Sequence, residues 1–509
     1  MRRSLRLTAL TAGLIVLVAG APVQAQDRDS LGADLDTILA DPGLAGADVG
    51  LVVTTPDGDV VYQRAPERRR QPASNAKLAT SAAALEVLGP DHTFTTTVAT
   101  PARRTGAVLN GNLYLKGTGD PTMLAADYDA LAATVAATGT RVVTGNLTAD
   151  DTWFDDIRLG LSWAWDDEPY YYNAQVSALT VSPDEDFDAG SIIVRVAPGA
   201  AGQRPTVTTD PPTNYVRVVN NATTGPAGSS NTTTVDRVHG TNTFTITGSI
   251  PAGASAQSEW MAVWEPTGYA AALFRASLQR HGVTVLGPTV RAATPSDARV
   301  LATRESIPLS ELQVPFLKLS NNLHAEILVK SMGRKVSGEG SWDAGRPVLV
   351  DALTTLGVTG ALSMADGSGL SRMDQISPAQ LAQLLSGATT RPWFPAWFDA
   401  LPVAGNPDRL TGGTLRSRMA GTAAEGNVHA KTGSLTGVTG LSGYVDTAGG
   451  ERLVFSMLTN NTIGINAKTI EDRVAVRLAE EGGDTTAATT APRTTTYPQD
   501  LECSWVKAC

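Results

Sequence analysis

The sequence is poor in cysteine, histidine and aromatic residues, and each shortage excludes something. Two cysteines, Cys503 and Cys509, stand at the extreme C-terminus of the 509 residues. A disulfide framework through the body of the chain is therefore excluded, and so is a CxxC pair. In an exported chain the two could still close a small terminal loop. The five histidines, His92, His239, His281, His324 and His429, are scattered, and there is no HExxH pair. No metal site and no cofactor are expected. Acidic residues outnumber basic ones, 50 to 40, for a net charge of −10. No basic run is long enough to track a nucleic-acid backbone, so nucleic acid is not an expected partner. Beyond the N-terminus no stretch is long and apolar enough to span a bilayer, which argues against a transmembrane anchor. Aromatics make up only 6%, yet 42% of the residues are hydrophobic. That is ample for a core, and a single core stops growing near roughly 250–300 residues. Two or three domains of mixed α/β structure are expected.

What is present begins with a leader-like N-terminus. Arg2, Arg3 and Arg6 precede an apolar stretch over 7–20. It falls short of the ~20 residues a spanning helix needs. Val23-Gln24-Ala25 follows with small residues at the two positions a signal peptidase reads, so residues 1–25 are expected to be removed and the chain exported.

A short helix is expected over 31–39. A β-hairpin is expected over 48–62, turning at Pro56-Asp57-Gly58. Pro72-Ala73-Ser74 opens a buried helix over 75–88, stopped by Gly89-Pro90. From 94 to 312 short β-like runs recur between Pro, Gly, Asn and Thr turns, interrupted by one helix over 266–281. Helical patterns return over 315–330, 344–356 and 378–387. A second hairpin is expected over 437–458, and a helix over 470–481. Residues 484–496 are rich in Thr and Ala. Both chain ends supply strands and helices around a long insertion, which predicts one discontinuous domain.

Three short motifs carry chemistry. Ser74-Asn75-Ala76-Lys77 puts a hydroxyl and an amine on one helix face. A serine hydroxyl is a poor nucleophile until a neighbour takes its proton. A lysine among apolar neighbours can lose its charge and do so. Ser320-Asn321-Asn322 places a hydroxyl that can relay a proton beside a carboxamide that can grip a peptide bond. Lys431-Thr432-Gly433-Ser434, just ahead of a strand at 437–445, offers a cation and a hydroxyl for a carboxylate. Its glycine admits close backbone approach, and the Ser434 N–H could face an oxyanion. Each motif alone has a plain structural reading: a surface Ser and Lys, a helix cap, a polar turn. Their order and context outweigh that, because SxxK, SxN and KTG in sequence mark serine penicillin-recognising enzymes.

At these residues the chain resembles the class C low-molecular-mass penicillin-binding proteins, the D-Ala-D-Ala carboxypeptidase/endopeptidase family. The gap of 246 positions from Ser74 to Ser320 fits the large insertion of that family. Gly117-Thr118-Gly119-Asp120-Pro121 and Asp366-Gly367-Ser368-Gly369-Leu370-Ser371-Arg372 match its habits. The resemblance implies a transpeptidase-like domain, a five-stranded antiparallel sheet between helices, with two nested β-rich inserted domains. The implied division is 26–93 with 312–482 for the catalytic domain, 94–172 with 259–311 for one inserted domain, 173–258 for the other, and a tail over 483–509. It further implies Ser74 as nucleophile and Lys77 as its base, with the Ser320 and Lys431 pair as a competing proton relay. Ser320 with Lys431 would relay a proton, and Asn322 would grip substrate. Lys431, Thr432 and Gly433 would lie along the substrate carboxylate. The Ser74 and Ser434 N–H groups would form the oxyanion hole. Similar actinobacterial enzymes read a diaminopimelate side chain, for which Asp166, Arg372 and Thr436 are the matching candidates, with Trp163 as an apolar wall. The implied partners are peptidoglycan stem peptides ending in D-Ala-D-Ala, and β-lactams as covalent inhibitors. A serine β-lactamase and a non-catalytic wall-binding protein are the rival readings.

Overall fold

The computed structural model describes residues 23–483. All but the last three residues of the expected leader, and the tail with Cys503 and Cys509, lie outside them.

At the centre is a five-stranded antiparallel sheet. Its strand order is Val60–Arg64, Asp48–Thr54, Arg452–Asn460, Val438–Asp446 and His429–Leu435. The first two strands come from the N-terminal part of the chain and the last three from the C-terminal part. Period-two alternation sends Leu441, Val445, Phe455 and Met457 to one face, and Tyr444, Val454 and Leu458 to the other. Against the first face lie helices Val23–Leu39 and Lys468–Ala479. They contribute Leu31, Leu35 and Leu39, and Ile470, Val474 and Leu478, each set at a spacing of four. Against the second face lie helices Ala76–Val87 and Pro378–Ala388. Every residue from Ala76 to Leu85 is buried, so this helix is enclosed on all sides, as its composition requires. Helices Leu309–Lys318, Asn322–Ser337 and Trp342–Thr355 complete that layer.

Several elements differ from expectation. The expected helix over 315–330 is two helices, broken at residues 319–321, with Pro315 inside the first. The sequence reading sets the Lys431 motif ahead of a strand. In the structure it lies inside one, His429–Leu435, whose polar composition hides it.

Residues 94–311 build separate sheets. One is five-stranded, in the order Thr289–Arg291, Leu147–Asp150, Leu113–Gly117, Thr95–Thr100 and Arg299–Glu305. The strands that enter and leave this stretch pair side by side, Thr95 opposite Glu305. Two helices pack together on its core, Pro266–Arg280 and an unexpected one, Ala125–Ala137. The second helix begins where Asp127 Oδ2 accepts the Leu124 N–H at 2.8 Å, a cap that a leucine disguises in the sequence. Residues between 191 and 262 add small sheets, among them Thr206–Asp210, Ser191–Ala197 and Gln257–Ala262.

Candidate active site

Ser74 sits on a single 3-10 turn, Ala73–Asn75, at the head of helix Ala76–Val87. Ala73 adopts a left-handed backbone, φ 48°. Non-glycine residues hold that conformation only where the surroundings impose it. One turn on, the fully buried Lys77 reaches back, with Nζ 2.7 Å from Ser74 Oγ and 2.8 Å from the Ser368 carbonyl. An uncharged amine has two N–H groups and one lone pair. It can donate to Ser368 and receive the Ser74 proton.

The second pair comes from the break between two helices and the edge strand. Ser320 also has a left-handed backbone, φ 60°. Lys431 Nζ, fully buried, donates to Ser320 Oγ at 2.8 Å and to the Thr432 carbonyl at 3.1 Å. Thr432 Oγ1 donates to Thr414 Oγ1 at 2.8 Å. Asn322 Nδ2 donates to the Tyr172 carbonyl at 2.8 Å, while its buried Oδ1 has no hydrogen-bond partner among the described residues. The two pairs meet at Gly433. A side chain there would lie 2.6 Å from Asn75 Nδ2 and 2.7 Å from the Pro72 carbonyl, so only glycine lets the edge strand reach the Ser74 turn. Strand His429–Leu435 is the last strand of the sheet, and residues 402–404 pair along its start, where the Ala430 N–H donates to the Pro402 carbonyl at 3.0 Å.

Among the remaining candidates, Arg372 Nη1 donates to the Thr436 carbonyl at 2.9 Å. Trp163 is half-buried, and its Nε1 donates to Asp366 Oδ2 at 2.8 Å. It packs against a small apolar cluster that includes Tyr172, Leu370, Leu435 and Val438. Asp166 is not drawn in. It lies on the exposed turn Trp165–Asp167, with no side-chain hydrogen bond or ion pair among the described residues. Its neighbour Asp167 does meet the site wall, accepting from Tyr172 Oη at 2.9 Å. Asp184, Asp186 and Asp188 bring carboxylate oxygens within 4.8 Å of one another. That group takes hydrogen bonds from Trp260, Arg409 and Asn321.

The model of the D-Ala-D-Ala carboxypeptidase 3 (S13) family matches residues 31–481. The chain belongs to that family. This S13 carboxypeptidase is 47% identical to a D-alanyl-D-alanine carboxypeptidase of Actinomadura sp. (strain R39), over 100% of this chain and 96% of the relative. It is 25% identical to the D-alanyl-D-alanine carboxypeptidase DacB of Haemophilus influenzae, over 76% and 80%. The crystal structure of penicillin binding protein 4 from Haemophilus influenzae superposes with a TM-score of 0.74 at 23% identity. The match covers 87% of this chain and 97% of that one, and it shows a shared fold. The chain is thus a hydrolase of the D-Ala-D-Ala carboxypeptidase type. Among the described residues no helix is long and apolar enough to cross a membrane.

Around its paired motifs this S13 carboxypeptidase carries groups that the sequence reading passes over. Glu326, fully buried, accepts the N–H of Gly367 at 3.0 Å, of Ser368 at 2.8 Å and Nε1 of Trp342 at 2.7 Å. Burial, followed by the charge of Asp366, pushes its carboxyl up to about 7. Asp366 accepts the N–H groups of Gly369 and Ser371. Burial and the nearby Asp366 raise Asp374 well above the ordinary range. The turn that offers its carbonyl to Lys77 is therefore held from behind by carboxylates. The one available signal for Glu326 is an acidic residue inside the apolar run 323–329.

Proposed function

We propose that this enzyme acts on peptidoglycan stem peptides, those ending in D-Ala-D-Ala among them, through an ester on Ser74, as a D-alanyl-D-alanine carboxypeptidase/endopeptidase. Lys77 takes the Ser74 proton, and Ser74 Oγ attacks the penultimate D-Ala carbonyl. The Ser74 and Ser434 N–H groups receive the oxyanion. Ser320, backed by Lys431, passes a proton to the departing nitrogen as the C–N bond breaks. Asn322 holds the substrate amide, and Lys431 and Thr432 bind the terminal carboxylate. Water then hydrolyses the ester. A β-lactam enters the same path and stays as a stable ester.

One observation carries this reading. Two buried lysine–serine pairs, 77 with 74 and 431 with 320, stand at 2.7 and 2.8 Å on elements that meet at Gly433. A complex with a β-lactam is known for the Haemophilus influenzae protein of the same fold, at a TM-score of 0.69. Recognition of a diaminopimelate side-chain end falls to Arg372 and Thr436, with Trp163 as wall, and a zwitterionic end needs charges of both signs. Asp166 joins them on resemblance alone. Export after cleavage at Ala25 fits a substrate in the cell wall. The division into 26–93 with 312–482, 94–172 with 259–311, and 173–258 is supported by the adjacent entry and exit strands of the insertion.

Incubation with penicillin followed by intact-mass analysis and peptide mapping tests the mechanism. One persistent penicilloyl group on the Ser74 peptide is expected, and none on Ser74→Ala. Rapid consumption of penicillin without an adduct favours a β-lactamase. Full D-Ala release by Ser74→Ala overturns the reading.

A further inference from the structure

The middle residue of the SxN motif has no part in the chemistry above, yet it is the most tightly tied of the three. Asn321 is buried, and its Nδ2 donates to the Asp188 carboxylate at 3.0 Å, the Phe187 carbonyl at 3.0 Å and the Asp186 carbonyl at 3.3 Å. All three acceptors belong to one acidic stretch of the insertion, residues 184–188. His324, one turn along the next helix, binds the same Phe187 carbonyl at 2.9 Å. Burial holds this imidazole down to about 4, so it is neutral and its Nε2 is the donor. The stretch is itself anchored to the catalytic part, because Arg409 Nη2 donates to Asp186 Oδ2 at 2.5 Å. Trp260 Nε1 ties Asp184 on the insertion side at 2.8 Å. Phe187 has a left-handed backbone, φ 60°, and so does Ser320. A left-handed residue therefore stands on each side of this contact: Ser320 precedes Asn321 in the chain, and Phe187 supplies a carbonyl to the Asn321 amide. Such backbones persist only where their surroundings over-determine them.

We propose that the insertion stretch 184–188 is a positioning brace for Ser320, acting through the Asn321 carboxamide. The brace holds Ser320 in its left-handed conformation, with Oγ against Lys431 Nζ. This rests on the reading of Ser320 as proton donor to the leaving nitrogen. In that step the acyl C–N bond breaks, the Ser320 proton goes to the nitrogen, and Lys431 returns a proton to Ser320.

The chemistry supplies a selective readout. An amide needs a proton on its leaving nitrogen, whereas a thiolate leaves without one. The same acyl-D-Ala donor is therefore offered as the amide and as the thioester, and sites are counted by penicillin labelling of Ser74. Ser320→Ala is the reference and should lose at least about tenfold more kcat/KM on the amide than on the thioester. Asn321→Ala should fall in the same selective way while retaining full labelling. Asn321→Asp sets a carboxylate against Asp188 and two carbonyl oxygens, and should behave likewise or worse. Adding Asp188→Asn returns a donor to that contact and should recover at least about threefold on the amide. Asp188→Ala, which leaves the motif untouched, should show a weaker selective loss and serves if the Asn321 variants do not fold. Equal loss on both substrates in fully labelled variants overturns the brace, as does a double variant no better than Asn321→Asp. An unselective Ser320→Ala removes the proton-donor reading itself, and the brace with it.

Discussion

Glu326 sits in an environment far from what its residue type prefers. A buried carboxylate must be hydrogen-bonded or neutralised. Here three N–H donors serve it, while Asp366 crowds it and Lys330, on its own helix, also feels its charge. Its folded value of about 7 lies above the ordinary 4.5. Between those two values the folded chain keeps a proton that the unfolded chain has lost. Stability from this group is therefore greatest at the acid end and declines as pH rises through that window. His324 has the opposite sign. It falls from 6.5 to about 4, so its contribution is lost as pH drops through that range. Comparison with a variant isolates the glutamate. The Tm of Glu326→Gln should fall less between pH 5 and pH 8 than that of the native chain, and equal slopes would refute the assignment. The pairing of Ser74 with Lys77, and the grouping of Ser320 with Lys431, were legible in the sequence because the proposed nucleophile, base and relay would demand particular side chains at particular spacings. Glu326 was not, since two of its partners are backbone N–H groups 41 and 42 residues away, which any residue type supplies.

Between residue and molecule stands the turn 366–372. The N–H groups of Gly367 and Ser368 face Glu326, and the carbonyls of the same two residues face the Ser74 helix. The Gly367 carbonyl accepts from Thr80 at 2.6 Å, and that of Ser368 from Lys77 at 2.8 Å. Gly369 makes the approach possible. Its φ is +86°, and a methyl group there would lie 1.9 Å from the Ala73 carbonyl. Gly369→Ala should destabilise by about 1–3 kcal/mol and slow penicillin labelling at least tenfold, roughly what displaced reacting groups lose. Gly421→Ala is the control, because its φ is +77° and nothing lies within 4 Å. It should lose about 1 kcal/mol and label at the native rate. If both variants label alike, the turn does not position Lys77. Elements of this kind mark where sequence reading falters. The helix Ala76–Val87 was legible from its apolar run and its Gly-Pro stop. The strand His429–Leu435 was not delimited, and its motif was set just ahead of the strand 437–445, because its residues are polar; its place beside Val438–Asp446 reveals it. The helix Ala125–Ala137 was lost among Ala and Thr, which carry little periodic contrast.

At the scale of the whole molecule, the insertion is part of the site's frame. Trp163 reaches Asp366, Tyr172 holds Asn322, and residues 186–188 hold Asn321. A fourth tie lies deeper. Lys330, fully buried on helix Asn322–Ser337, donates to Asp155 Oδ1 at 2.5 Å and to the Ile157 carbonyl at 2.6 Å, with its Nζ 3.9 Å from the Trp342 ring centre. Burial lowers the lysine and Asp155 opposes that shift, so the ammonium depends on a carboxylate contributed by the insertion. Removing one partner of a buried pair strands the other charge, at a cost of about 3–5 kcal/mol. Asp155→Ala should therefore destabilise by roughly that amount, towards the lower end because water reaches the aspartate. If the ties couple the two parts, the protein unfolds in one calorimetric transition and Asp155→Ala moves all of it. Two transitions, only one of which shifts, would mean that the insertion rides on a catalytic domain able to stand without it. The single shifted transition is expected, because three of the ties end on Asn321, Asn322 or the turn behind Lys77, and the fourth ends on the helix that Asn322 opens.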